Sequence, residues 1–139
     1  MSSATSTPGQ LTVSYGPILN IDNSDAATKY EPATDGVLLL RYLLGLRGSA
    51  LIANARGVGA GLRDAAAIEL HLSTNLSLLD VDGDGEKLAL TDGLMILRRL
   101  LNPTPLATDA AASAAITAGA KRGARSDEAV VKAIDALKP

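Results

Sequence analysis

The feature that most constrains this chain is that it contains itself twice. Residues 33–45 read ATDGVLLLRYLLG and residues 90–102 read LTDGLMILRRLLN, an offset of 57 that keeps Thr-Asp-Gly in front and an arginine amid the aliphatic run. Just upstream, Leu19-Asn20-Ile21-Asp22 parallels Leu79-Asp80-Val81-Asp82 at an offset of 60, so the first copy carries three more residues between its halves. Downstream, SALIANARGVGAGLRDAAAIELHL at 49–72 is echoed by SAAITAGAKRGARSDEAVVKAIDAL at 113–137: small and aliphatic, then glycine and basic, then helical. A repeat of this size is a duplicated supersecondary unit whose copies share a core. With 139 residues the chain suits one module at 11–139, with unit one at about 19–62, unit two at about 63–139, and residues 1–10 as a disordered linker or tail.

Each unit reads as an oxygen-rich loop running into a helix. Thr34 and Thr91 each precede an acid and an apolar run, the pattern of an N-cap threonine with an acid at the positive end of the helix dipole. Helices are expected at 35–45 and 92–102, the first ended by Gly45 and the second by Asn102-Pro103. Ile68, Leu72, Leu76 and Leu79 form one stripe of a helix beginning near Arg63 or Asp64. Ser126-Asp127-Glu128 caps a last helix whose stripe is Val130, Ala133, Ile134 and Leu137. Leu11 to Tyr15 alternates like a short strand. Because aromatic residues make up only 2% of the chain, the core must be aliphatic, and the expected class is all-α.

Composition removes several functions. The net charge is −2 and the basic residues are scattered, so no nucleic-acid footprint is visible. With no cysteine there are no disulfides or thiolate sites, and any metal must be held by oxygen. No apolar run approaches the roughly 20 residues of a membrane span. The Ser/Thr/Pro/Gly opening lacks a signal peptide's pattern and reads as a linker in a fragment of a larger secreted or surface protein. His71, the one histidine, is expected on the solvated side of its helix, and no catalytic constellation stands out, so an enzyme is not expected.

The chemistry lies in DVDGDGEKLALTD, from Asp80 to Asp92. Carboxylates at Asp80, Asp82 and Asp84 alternate, so a loop curling about a point aims all three inward, and Gly85 permits the sharp turn. In the EF-hand pattern the next donor is a backbone carbonyl, here that of Glu86, and the last is an acid entering the next helix, here Asp92. Asp92 falls one residue later than the twelve-residue pattern, giving a thirteen-residue loop closed by Asp. Hard oxygen donors at this spacing suit Ca2+ better than Mg2+, which prefers a tighter and more hydrated octahedron. The first loop keeps Asn20, Asp22, Ser24, Asp25 and a closing Asp35 but lacks the turn glycine and is three residues longer; it either binds calcium weakly or has lost it. One calcium ion is expected, and a second is open.

A calcium loop followed by a short apolar helix with a central basic residue, present twice, resembles the dockerin family, on the stretches TDGVLLLRYLLG and TDGLMILRRLLN. The resemblance implies a non-catalytic module that folds around calcium as two pseudo-twofold-related units and docks onto a cohesin-type protein partner; a monomer is expected. It places the partner-binding residues at Thr34 and Thr91, at Arg41 and Arg98 in mid-helix, and at Tyr42 and Arg99 beside them. Both loops and the linker are longer than the family's, and Ala33 and Leu90 stand where a hydroxyl residue is expected. The residues leave a second reading open: the two helices, apolar nearly all round, form the joint core, and Arg41 and Arg98 make internal salt bridges in a calcium-rigidified spacer.

Overall fold

The computed structural model describes residues 17–138. The expected linker at 1–10 and the expected strand at Leu11 to Tyr15 lie outside the described residues. Among the described residues there are six α-helices and no strand: α1 (Val37–Leu43), α2 (Ser49–Ile52), α3 (Ala65–Thr74), α4 (Leu94–Leu101), α5 (Ala110–Thr117) and α6 (Asp127–Asp135). The chain is all-α.

Each motif helix begins earlier than its sequence pattern indicates, and differently. A π-helical turn, Pro32–Gly36 before α1 and Ala89–Gly93 before α4, leads into regular helix. Thr34 and Thr91 therefore sit inside the turn rather than at its N-cap, with hydroxyls 3.4 and 3.2 Å from Oδ2 of Asp35 and Asp92. The free N–H at each start is met by the acid instead: Asp35 Oδ2 accepts from the Glu31 amide at 3.0 Å, and Asp92 Oδ2 from the Leu88 amide at 3.3 Å. This is the acid half of a capping box, so the residue closing each loop also fixes the following helix.

The other boundaries follow their signals. Gly45, at φ 99°, ends α1 with a Schellman pair in which Leu46 N–H reaches Arg41 O at 2.9 Å and Gly45 N–H reaches Tyr42 O at 3.0 Å. Asp64 caps α3 by accepting from Ala67 N–H at 2.8 Å, and Ser126 caps α6 by accepting from Ala129 N–H at 3.1 Å. The Ile68/Leu72/Leu76/Leu79 stripe spans two elements, because α3 stops at Thr74 and Leu76–Leu79 form a 3-10 turn. His71 corrects its expectation: it is only 3% exposed, with Nε2 2.8 Å from the Ile18 carbonyl, because the segment leading into the first loop lies over that face of α3. Burial lowers its pKa, helped by nearby Arg63 and opposed by the bond to Ile18.

Both loops and both motif helices feed one core. Leu19, Ile21, Leu79 and Val81 from the loops are fully buried with Leu38, Leu39, Met95 and Ile96 from α1 and α4. The two motif helices meet at their glycines. A Cβ on Gly36 would stand 2.6 Å from Leu97 Cδ1, and one on Gly93 would stand 2.9 Å from Leu40 Cδ2. Each glycine thus receives the leucine four residues after the other, a reciprocal contact that any side chain would block. Around this joint α3 packs on α1 and α2, and α6 packs on α4 and α5. The unit boundary expected near residue 63 therefore falls before a helix that packs with the first half.

Candidate metal centre

The loop from Asp80 to Asp92 gathers four acids about one point. Asp80, Asp82, Asp84 and Asp92 each present an oxygen within 4.8 Å of all the others. Their positions come from backbone amides. Asp92 Oδ1 accepts from Val81 N–H at 2.9 Å, across the mouth of the loop, while Oδ2 is held at the start of the π turn. Asp82, fully buried, accepts from Asp84 N–H at 3.3 Å on Oδ1 and from Arg122 N–H at 2.9 Å on Oδ2. Asp84 Oδ1 accepts from Glu86 N–H at 2.9 Å. Asp80 Oδ2 accepts from Gly85 N–H at 2.9 Å, a bend made by Gly85 at φ 90°. Asp80 Oδ1 is buried with no hydrogen-bond partner.

A buried carboxylate oxygen without a donor is costly unless something positive meets it. The neighbouring groups carry the same signature. Burial, and then Asp82, push Asp92 up to about 6. Asp84 is lowered by the Glu86 amide, yet burial with Asp82 and Asp80 raises it overall. Burial would raise Asp82 too, but the amides of Arg122 and Asp84 and bonds from the Asp84 and Asp80 side chains hold it low. Carboxyls crowded this way share protons unless a cation takes their place. The donor set is all hard oxygen and fits a divalent metal ion. The Glu86 side chain is exposed, and the donor assigned to this position is its carbonyl.

The first loop is built from the same positions with a different balance. Asn20 stands where Asp80 does; its Oδ1 accepts from both Ser24 N–H and Ser24 Oγ at 3.2 Å, and its Nδ2 donates to Ser24 O at 3.0 Å. Asp22 accepts from Ser24 N–H at 3.0 Å on Oδ1 and from Gly57 N–H at 2.5 Å on Oδ2. Asp35 accepts from Ile21 N–H at 2.7 Å and Glu31 N–H at 3.0 Å. Burial and then Asp22 push it up to about 7. Asp25 is exposed, and a Cβ on Gly59 would stand 2.7 Å from its Oδ1.

Sequence reasoning missed the segments that hold both loops from behind. Arg63 Nη1 donates to Asn20 O and Ile21 O at 3.0 and 2.9 Å, and Arg125 Nη1 donates to Val81 O at 2.8 Å. A Cβ on Gly123 would collide with the Asp82 carbonyl. The signal was the glycine-and-basic stretch shared by 49–72 and 113–137, whose position pointed to a role in both copies.

The residues assigned to partner contact are largely engaged inside the molecule. Thr34, Thr91 and Tyr42 are buried, and the Arg47 guanidinium lies 3.8 Å over the Tyr42 ring. Arg99, 4% exposed, forks onto Asp135 with two bonds of 2.8 Å. Arg41 Nη1 donates to Leu51 O and Ala53 O at 3.0 and 2.7 Å; Arg98 Nη1 donates to Ile116 O and Ala118 O at the same two distances. These carbonyls lie at the ends of α2 and α5, so each arginine meets helix-end carbonyls of its own half rather than an acid across the fold. The exposed large apolar groups on the two motif segments are others: Leu44 and Leu101, equivalent positions each 64% exposed, and Leu90 at 75%.

No family model, curated protein or solved structure matches the chain.

Proposed function

We propose that this chain is a calcium-binding, non-catalytic protein-interaction module of the dockerin kind, carried by a secreted or cell-surface bacterial protein. The observation that carries the reading is the four-acid cluster at Asp80, Asp82, Asp84 and Asp92 with the unpartnered Asp80 Oδ1 inside it. Calcium would be held by those four carboxylates and the Glu86 carbonyl, on the EF-hand pattern. The glycine-to-leucine reciprocity between α1 and α4, and the twin arginine bonds, support two units related by a pseudo-twofold. Docking onto a cohesin-type partner rests on the family resemblance, and the exposed Leu44, Leu101 and Leu90 supply apolar contact area on the motif segments.

Because the ligands converge only in the folded chain, calcium binding is folding energy: at a hundred times Kd the gain is about 2.7 kcal/mol. Melts in millimolar calcium, in magnesium and in chelator test this, with calcium alone expected to raise Tm by several degrees. Superimposable calcium and chelator curves refute it.

A second reading, a calcium-rigidified spacer within a large extracellular protein, is favoured by one specific observation: Arg41, Arg98 and Arg99 are all bonded internally. Leu44→Glu with Leu101→Glu separates the two. Docking predicts lost binding to a cohesin-type module of the same organism with an unchanged melt, whereas the spacer predicts no binding by the parent chain either.

A further inference from the structure

The two loops carry equivalent residues and are each held from behind by a later segment, but they differ in charge. In the second loop four acids converge and one buried oxygen has no donor. In the first, the position of Asp80 is taken by neutral Asn20, whose amide is spent on Ser24 at both ends. Both oxygens of Asp22 and both of Asp35 accept from backbone amides.

One of those amides comes from outside the loop. Gly57 N–H, 35 residues on in the chain, holds Asp22 Oδ2 at 2.5 Å. It belongs to a strap that follows the loop for several residues. Asp25 N–H donates to Val58 O at 2.7 Å, Asn23 Nδ2 to Gly61 O at 3.0 Å, and Arg63 N–H to Asp22 O at 2.9 Å. Glycines make so close an approach possible: a Cβ on Gly57 would overlap the Thr28 side chain, and one on Gly59 would press on Asp25. The strap ends in a charge. The half-buried Arg63 guanidinium bonds two loop carbonyls and lies within electrostatic reach of both Asp22 and Asp35.

We infer that the first loop needs no cation, so the module takes up one calcium ion, at Asp80 to Asp92. A strap lies behind each loop, with Arg122 N–H on Asp82 Oδ2 and Arg125 on Val81 O in the second. In the first, however, neutral Asn20 replaces the acid at the position of Asp80, and the strap leaves no buried side-chain oxygen without a donor. The first loop then holds its helix in place whether or not calcium is present, and the calcium response is confined to one half.

This rests on the calcium reading of the second loop, and the test tells the two apart. Calorimetric titration of the full chain with calcium chloride is compared for the parent, Asp22→Asn and Asp82→Asn. One site is expected in the parent, unchanged in Asp22→Asn and weakened at least about tenfold in Asp82→Asn, since even groups behind the ligands cost that much when removed. Two sites, or loss of the one site in Asp22→Asn, overturns the inference. No binding by the parent removes the calcium reading, and the contrast between the loops with it. Hydrogen exchange on the parent gives an independent readout: the Ile21, Glu31 and Gly57 amides should be equally protected in chelator and in calcium, while Val81, Gly85 and Leu88 gain protection on adding calcium. Exposure of the first three in chelator overturns the inference.

Discussion

Replacing Arg41 or Arg98 by Met keeps most of the apolar stem and removes only the guanidinium, which makes it a clean probe of the two helix-end braces. Each guanidinium nitrogen serves two carbonyls, one partly buried (Leu51 O or Ile116 O) and one exposed (Ala53 O or Ala118 O). The exposed carbonyl can exchange its lost bond for water at little cost. The partly buried one cannot do so fully, and a stranded acceptor of that kind costs about 1–3 kcal/mol. Partial access by water puts the loss near the lower end, about 1–2 kcal/mol for each arginine. The bonds in the two halves have the same lengths, so the two variants should lose similar amounts, and the double variant close to their sum, within about 0.5 kcal/mol. Urea denaturation in saturating calcium measures all three. Losses below about 0.5 kcal/mol, the range of ordinary surface substitutions, would show that these arginines do not brace the fold and are free to serve a partner.

Gly123→Ala should lower calcium affinity more than it lowers stability measured in chelator, because its methyl would displace the segment that positions Asp82 through the Arg122 amide; titration and melts of the one variant compare the two. The pH response should reverse sign with calcium. Asp35 and Asp92 have native pKa values raised to about 7 and about 6, above those of the unfolded chain, so ionising them costs stability. In chelator, stability should therefore rise as pH falls from about 7 towards 5. His71, whose native pKa is lowered, opposes this below about 6.5, because the unfolded chain takes up a proton the native one resists. With calcium bound, protons compete for Asp92, and apparent affinity should fall as pH drops below about 6. Melts and titrations at several pH values follow both trends, and a chelator stability that falls steadily from pH 7 would contradict the first.

Helices α1, α3, α4 and α6 and the acid cluster were legible in the sequence for a definite reason, that they depend on local pattern, whereas α2 and α5 carried no pattern that was read as a helix. The alternation of Asp80, Asp82 and Asp84, the bend at Gly85 and the return at Asp92 are short-range, and the structure brings those four acids together. The caps at Asp64 and Ser126 were equally local. What the sequence hid is what depends on contacts across the fold. A π-helical turn has no residue signature, so the threonines read as caps when the acids beside them do that work from the following position. His71 read as solvated because the strip of chain covering it comes from residues 17–19, far away in sequence. Arg41 and Arg98 were recognised as equivalent, but the carbonyls they meet lie ten to twenty residues downstream, where no pattern names an acceptor. The straps behind the loops were hidden likewise, since a glycine chosen for close approach looks the same as one chosen for a turn.

The central claim is that the Asp80 to Asp92 loop holds calcium, and a crystal structure of the chain grown in calcium, with anomalous data, tests it most directly. The account predicts one ion in that loop, about 2.3–2.6 Å from oxygens of Asp80, Asp82, Asp84 and Asp92 and from the Glu86 carbonyl, with Asp80 Oδ1 among the ligands. A loop that stays free of metal at millimolar calcium, or an ion bound without Asp80, would contradict it.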